Sequence, residues 1–574
     1  MSMHTARPRT SRSLDGIWAF AWLGDSVDLS HAAVADGTPH STAAFDRRVA
    51  VPGCFDTLPG LAGERGTAAY RTRFEQGDEA VGILHFDGLG IWAAVYIDDA
   101  LVYVHRKPYS PFTVEVPAAD SDSRVRELTL VVDNRFDTER SPLQENYFDF
   151  YAYGGIFRPV AYVPLPAVHI TNVRVTTTAI DPPTIDIAVD ANTDVNVELH
   201  YLVDGKDVSA TDTVDGTGTE FAHQLPLPGY GLWSPESPEM HTLTVTLDAG
   251  ASHDEFTVAF GLRTIEVDGP ELRLNGRPLK LFGWNRHESH AQFGPALPLQ
   301  QMVGDIELMK RAGANFVRGS HYPQDDRFLD LCDEMGMLVW EESIGWQQNE
   351  THFANSDYQS LIGEQQIEMI EAHFNHPSII MWGFQNELHS ELATARPVIE
   401  NLVAITRKAD PTRPITFASC RFPNDLCLDL VDIISLNVYP GWYAGDVEEY
   451  RPLEEIGERL DAIRAGLAKQ GLADRPLIIS EIGAGAIYGW RDPHAGHWSE
   501  QYQSDYLGEI CSQFRGRADV MGLALWQFCD CRTYGSSRAL GRPRGFNNKG
   551  IVDEYRRPKQ AYELVRALMT EVDA

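Results

Sequence analysis

Two glutamates in this chain of 574 residues stand at the ends of apolar runs. Glu387 closes SIIMWGFQNE, where a strand-like stretch from Ile379 to Phe384 stops abruptly in Gln385, Asn386 and Glu387. Glu481 closes LIISE in the same way. A single strand-terminal Glu caps the next helix as readily as it does chemistry. Two carboxylates that meet in one cleft are what glycosidic-bond hydrolysis needs. One protonates the leaving oxygen, and the other attacks the anomeric carbon or activates water. Further polar groups end other apolar runs: Asn285 and His287, Arg318 and His321, Glu341 and Glu342, Asn437 and Tyr439, Trp526 and Asp530. Each alone reads as a rim hydrogen bond, but nearly every run ending this way points to a site. Metal chemistry competes weakly. His287 with Glu288, and His321 with Glu341, lack a recognised ligand spacing, so no metal and no cofactor are expected.

Bringing distant strand ends to one mouth is the property of a barrel. From Arg263 onward, strand-like runs alternate with helical ones: LKLFGWN, ANFVRGS, GMLVWEE, SIIMWGFQNE, ITFAS, IISLNVY, LIISEIG and VMGLALWQF, with stretches such as PLQQMVGDIELMKRAG and LEEIGERLDAIRAGLAKQG between them. Eight strand–helix units over about 300 residues is the count of a (β/α)8 TIM barrel, whose active sites lie at the C-terminal strand ends. Glu387 then ends the fourth strand and Glu481 the seventh. Upstream, the chain reads as all-β. Residues 1–167 are expected to form a β-sandwich carrying an aromatic loop from Ser141 to Phe157. Residues 168–263 are expected to form an immunoglobulin-like β-sandwich of about seven strands without cysteine. Residues 264–574 form the barrel in this reading.

Composition narrows the partners. The formal net charge is -34, which disfavours nucleic acid and anionic membrane. The N-terminal stretch MSMHTARPRTSRSL lacks an apolar signal core, and no run is long enough to span a membrane, so a cytoplasmic location is expected. The seven cysteines read as reduced core thiols rather than a disulfide framework or a metal site. Against this acidic background, the stretch from Asp530 to Gly550 holds Arg532, Arg538, Arg542, Arg544 and Lys549 beside the single Asp530. Loops after the last barrel strands often hold anions, and Asn547 with Lys549 offers directed donors to a substrate carboxylate.

FDGLGIWAAVYIDD, LRLNGRPLKLFGWNRHE, GANFVRGSHYPQDDRFLDLCDEMGMLVWEE, NHPSIIMWGFQNE and SEIGA together carry a resemblance to the family 2 glycoside hydrolases over nearly the whole chain. The resemblance implies a jelly-roll sugar-binding domain, an immunoglobulin-like domain and a catalytic barrel. Within the family the pattern is most similar to the bacterial β-glucuronidases, through Asn547-Asn548-Lys549 and the element YPGWY from Tyr439 to Tyr443. It implies Glu387 as acid/base and Glu481 as nucleophile of a retaining, exo-acting enzyme. Asn547 and Lys549 would bind the sugar carboxylate, Asn386 the 2-hydroxyl, and Tyr443 the nucleophile. Asp149, His287, Tyr439 and Trp526 would line the pocket. Arg542, Pro543 and Arg544 do not align with the arginine those enzymes place near the sugar 4-hydroxyl, so β-galacturonides or β-galactosides remain alternative substrates. A small glycoside is the expected partner, and a homo-oligomer the expected assembly.

Overall fold

The computed structural model describes residues 11–570 apart from 78, 80, 118–123, 142, 144–148, 194, 209–219, 251, 444–452, 454 and 534–541. Part of the aromatic loop and Arg538 of the basic stretch lie outside the described residues.

The first domain is a two-sheet sandwich. One sheet runs Arg47–Val51, Gly16–Gly24, Thr67–Glu75, Val125–Asp133, Trp92–Ile97 and Ala100–His105 in spatial order. The other runs Arg12–Ser13, Val160–Leu165, Val81–Phe86 and Phe112–Val116. Phe112–Val116 shows the physical rule: its residues alternate buried and exposed, so one face packs on the core and one meets water. The second domain packs three strands, Ile170–Ile180, Pro183–Ala191 and Glu220–Pro226, on four, Lys206–Asp207, Glu198–Val203, His241–Asp248 and His253–Phe260. Its core is Val, Ile, Leu, Phe and Tyr with no cysteine.

The barrel strands are β1 (Leu281–Arg286), β2 (Phe316–Gly319), β3 (Leu338–Trp346), β4 (Ile379–Asn386), β5 (Ile415–Thr416 and Ala418–Ser419), β6 (Ile434–Asn437), β7 (Leu477–Ile482) and β8 (Gly522–Leu525). All pair in parallel. β5 is split at Phe417. Its first half pairs with β4 and its second with β6, which closes the ring. Every residue of β1 to β4 is buried, as expected for strands covered on both faces. Gly383 in β4 has a steric reason: a Cβ there would lie 2.1 Å from Trp340 Nε1. A three-stranded antiparallel sheet from Ile265 to Leu279 precedes β1, and its Ile265, Leu272 and Leu274 pack with Leu281, Phe316, Leu338 and Ile478 of the barrel.

Around the strands lie α1 (Leu299–Arg311), α2 (Asp326–Met335), α3 (Ser356–His373), α4 (Arg396–Ala409), α5 (Glu455–Lys469), α6 (Glu500–Arg515) and α7 (Gln560–Thr570). The eight-unit expectation needs one correction. Between β5 and β6 the chain makes only a short 3-10 turn, Leu428–Leu430. Fourteen residues separate Ser419 from Ile434, and Pro423 together with Asp425 and Asp429 disfavours a long helix there.

The first domain is fastened to the barrel near its mouth. Arg158 is fully buried, donates to Glu288 at 2.9 Å and to the carbonyls of Pro323 and Tyr109 at 2.7 and 2.6 Å, and lies beside the stacked pair Tyr109–Tyr322. Lys107 reaches Glu364 and Glu368 of α3 at 3.2 and 2.6 Å.

Candidate active site

At the C-terminal mouth of the barrel, Arg318 at the end of β2 is the hub. Its Nη1 donates to Glu481 Oε1 and Asn285 Oδ1, each at 2.9 Å. Its Nη2 donates to Asn386 Oδ1 at 2.9 Å and joins Nε in a bidentate pair with Glu342. The guanidinium lies over the Trp340 ring, 4.5 Å from its centroid. A planar donor fork suits this task, because one cation must orient side chains from four strands at once.

Glu481 is 4% exposed, with Oε1 on Arg318 and Oε2 accepting from the Tyr439 hydroxyl at 2.6 Å. Burial, reinforced by the negative charge of Glu387, pushes its carboxyl up to about 8 against the opposing pull of Arg318 and Tyr439. Among the described residues the donors to Glu387 are neutral: Asn437 Nδ2 on Oε1 at 3.0 Å and Gln347 Nε2 on Oε2 at 3.2 Å. Its backbone sits in the left-handed region, φ 54°, as does Gln385 at φ 52°. That turn swings the side chain off the strand and over the mouth.

Asn386, 1% exposed, spends its carbonyl oxygen on Arg318 and Asn437 Nδ2, which leaves its N–H groups for a ligand. Beside it, His321 Nδ1 lies 2.7 Å from Glu342 Oε1 and its ring stacks on Trp526 at 5.3 Å. Burial pushes Glu342 up to about 7 although Arg318 opposes it. His287 is buried and stacks on Phe150 of the first domain at 4.8 Å. Its Nδ1 is 3.3 Å from the Tyr322 hydroxyl, while Nε2 has no hydrogen-bond partner among the described residues. Burial, with His321 and Arg318 nearby, holds this ring well below the usual imidazole range, so it is neutral.

Lys549 is 1% exposed. Its ammonium donates to the Tyr443 hydroxyl at 2.7 Å and lies 4.6, 5.5 and 5.5 Å from the ring centres of Tyr443, Tyr439 and Trp442. No carboxylate stands within ion-pair distance of it among the described residues. Burial and the Arg542 charge hold it well below the usual lysine range. Arg542 itself is paired with Asp149 in a bidentate contact, Nε to Oδ1 at 2.8 Å and Nη2 to Oδ2, and Asn547 Nδ2 reaches the same Asp149 at 3.2 Å.

The structure therefore gathers Asp149, His287, Asn386, Glu387, Tyr439, Tyr443, Glu481, Trp526, Asn547 and Lys549 around one mouth. One expectation is corrected. The tyrosine on Glu481 is Tyr439, and Tyr443 instead binds Lys549. Residue 439 lies two positions past the end of β6, so it stays beside β7, whereas the turn at Gly441, φ 76°, carries residue 443 towards the last loop. Gln347 was not marked by the sequence. Phe150 and Arg542 were marked only as members of the aromatic loop and of the basic stretch, without roles of their own.

One cluster outside the mouth has ligand-like composition, namely Asp330, Asp333 and His376. His376 Nδ1 is 2.6 Å from Asp333 and Nε2 is 3.2 Å from Asp326. Burial works against its charge, but the carboxylates outweigh it and raise the imidazole well above its usual range. An imidazolium donating from both nitrogens has no lone pair for a metal.

A parallel barrel with one buried and one half-buried carboxylate at its mouth, behind two β-sandwiches, has the architecture of a glycosidase. The model described as "Glycosyl hydrolases family 2, TIM barrel domain" matches residues 265–574, and "Glycosyl hydrolases family 2" matches residues 168–263. The chain belongs to glycoside hydrolase family 2. It is 30% identical to human β-glucuronidase over 88% of this chain and 79% of that protein, and 28% identical to β-glucuronidase of Streptococcus agalactiae over 96% and 95%. Among solved structures, a family 2 β-galacturonidase from Eisenbergiella tayi bound to galacturonate superposes with TM-score 0.87 at 33% identity, covering 100% of this chain and 99% of that one. A Bifidobacterium dentium β-glucuronidase complexed with coumarin-3-O-glucuronide gives TM-score 0.86 at 25% identity, covering 98% and 97%.

Proposed function

We propose that this chain is a retaining, exo-acting β-uronidase that releases β-D-glucuronic acid from β-glucuronides. The observation that carries the reading is Lys549, a buried ammonium in a ring of three aromatics whose charge has no carboxylate partner among the described residues. A desolvated cation of this kind is complementary to a substrate carboxylate.

Glu481 is the nucleophile. The guanidinium of Arg318 and the hydroxyl of Tyr439 favour its anion, whereas the donors to Glu387 among the described residues are carboxamides. Glu387 is the acid/base, which delivers a proton to the departing aglycone oxygen as Glu481 bonds to the anomeric carbon. Esterification neutralises Glu481 while Glu387 becomes the carboxylate; Glu387 then takes a proton from water as the water oxygen attacks the anomeric carbon and the bond to Glu481 breaks, which releases the sugar. The N–H groups of Asn386 face the sugar 2-hydroxyl in this reading. Asp149, held by Arg542 and Asn547, closes the non-reducing end.

A β-galacturonide is the second reading, supported by the 33% identity to the Eisenbergiella tayi galacturonidase over the whole chain. Aryl β-D-glucuronide, β-D-galacturonide, β-D-galactoside and β-D-glucoside assayed side by side test both. The uronides should lead by at least an order of magnitude in kcat/KM, and a neutral glycoside turning over faster than either would sink the proposal. Trapping with a 2-fluoro-substituted activated uronide should label Glu481, and a label elsewhere reassigns the nucleophile.

A further inference from the structure

We infer that Gln347 is the positioning residue for Glu387, fixing the side chain over the leaving group and setting how readily it gives up and regains its proton. The inference rests on the reading of Glu387 as acid/base. Gln347 is the first residue after β3, and its Nε2 donates to Glu387 Oε2 at 3.2 Å. The other oxygen, Oε1, is bonded by Asn437 from the inner side of the mouth. Asn437 is already shared: its Nδ2 also meets Asn386 Oδ1 at 3.1 Å, and its Oδ1 accepts from Ser480 at 2.7 Å. Gln347 thus holds the opposite side of the carboxyl from the pocket's inner network.

Its own placement is over-determined. The backbone N–H of Gln347 donates to Asn386 O at 2.9 Å, and its φ is 55°. The β3–β4 ladder shifts register between Ser343 and Trp346, immediately before it. Below, the Gln385 carboxamide is locked by the Tyr358 hydroxyl at 2.7 Å and by Ile344 O at 2.9 Å. Three residues at one strand junction, Gln347, Gln385 and Glu387, adopt left-handed backbone that side chains other than glycine rarely take. Such conformations persist where surrounding structure holds them, and they cluster at working sites. Here they bring one carboxamide onto one carboxyl oxygen.

A neutral N–H donor at Oε2 stabilises the carboxylate relative to the acid. It serves both half-reactions, accepting the anion left after proton delivery and holding the base for water. The titratable groups that face Glu387 are Glu481 from β7, Tyr439 and Tyr443 from the loop after β6, and Cys420 beyond β5. Arg421 donates to its backbone carbonyl at 3.1 Å. A change at Gln347 leaves all of them in place.

The test is the alkaline limb of kcat, at saturating substrate, for an aryl uronide with a poor leaving group, measured for Gln347→Met and Gln347→Glu. Met keeps the length and loses the donor, so Glu387 should hold its proton longer and the limb should move up by about one pH unit. Glu adds a like charge and should move it further in the same direction. Both should lose more activity on poor than on activated leaving groups, with KM little changed. Glu387→Gln, run in parallel, separates the two claims. If it leaves the limb and the leaving-group dependence intact, the acid/base reading itself fails. If it removes the limb while both Gln347 variants, folded by thermal melting, keep the wild-type limb, then Gln347 is only a wall of the mouth. If Met unfolds the protein, the Glu variant alone decides by the same shift.

Discussion

Lys549→Met separates recognition from chemistry. The substitution keeps an unbranched apolar stem among Tyr439, Trp442 and Tyr443 and removes only the ammonium. In the free enzyme that ammonium has one hydroxyl partner and three ring faces, and burial with Arg542 already disfavours its charge. A desolvated carboxylate–ammonium contact is worth about 2–5 kcal/mol when one partner is truncated. The aromatic faces contact the ammonium both with and without substrate, at roughly 0.5–2 kcal/mol for each cation–ring contact, and so cancel from the difference. A net loss of about 3 kcal/mol is therefore expected, or roughly 150-fold in kcat/KM for aryl uronides. Neutral aryl glycosides should be unchanged or improved. Because the variant removes a poorly compensated buried charge, its melting temperature should hold or rise. A parallel fall on uronide and neutral glycoside, or a melting temperature several degrees lower, would refute the reasoning. The same contact predicts proton uptake. A substrate carboxylate restores the lysine's charge, so its bound-state value lies above the depressed free-state one. Affinity is then constant below the free-state value and falls as pH rises from there towards the bound-state value, seen as a rising KM for uronides alone.

Tyr439→Phe removes a donor to the Glu481 carboxylate, so the nucleophile holds its proton to higher pH and the acidic limb of kcat/KM should move up by about one unit. Tyr443→Phe should leave that limb in place and raise KM for uronides, since its hydroxyl meets Lys549 and Arg542. Equal pH profiles for the two variants would undo the assignment. Arg158→Met strands Glu288 in a buried interface, and urea unfolding should report a loss of about 3–5 kcal/mol. Asp305 is wedged between Arg286 and Arg556; burial would raise its carboxyl, but the two guanidiniums outweigh this and lower it. Its folded-state value lies below the unfolded one, so its contribution is present above about pH 4 and lost as pH falls through the folded value. Asp305→Asn should lower the melting temperature at pH 7 and weaken its fall in acid.

Much of the scaffold was legible because a strand covered on both faces leaves an unbroken apolar run, and in the barrel such a run ends at the mouth. Glu387 and Glu481 could be paired from that rule alone. What the rule lacks is the backbone beyond the strand end. Tyr439 and Tyr443 are four residues apart, equally aromatic and equally hydroxylated, and only the turn at Gly441 decides which reaches Glu481. Gln347 was invisible for the same reason. Its carboxamide meets Glu387 because residues 347, 385 and 387 all adopt left-handed backbone, and their side-chain types give no hint of that. The missing helix between β5 and β6 was foreshadowed by Pro423 and the short spacing, but it was masked by the regular count of strands.

The basic stretch shows how local charge differs from local sequence. Of its five cations, Arg542 is neutralised by Asp149 from the first domain, Arg544 pairs with Glu554 at 2.9 Å, and Arg532 lies over Tyr151 at 4.0 Å. Arg538 lies outside the described residues. Lys549 has no carboxylate within ion-pair distance among the described residues and lies against three aromatic rings. Its neighbour Arg542 is neutralised across the domain boundary by Asp149. That makes the first domain part of the specificity device: without Asp149, Arg542 would stand as a second cation beside Lys549, depress its charge without relief, and offer an anion a competing partner. Asp149→Asn should therefore weaken uronide selectivity without touching either catalytic carboxylate. The ratio of uronide to neutral-glycoside kcat/KM is the quantity that reads it, and an unchanged ratio would leave the first domain a purely structural clamp.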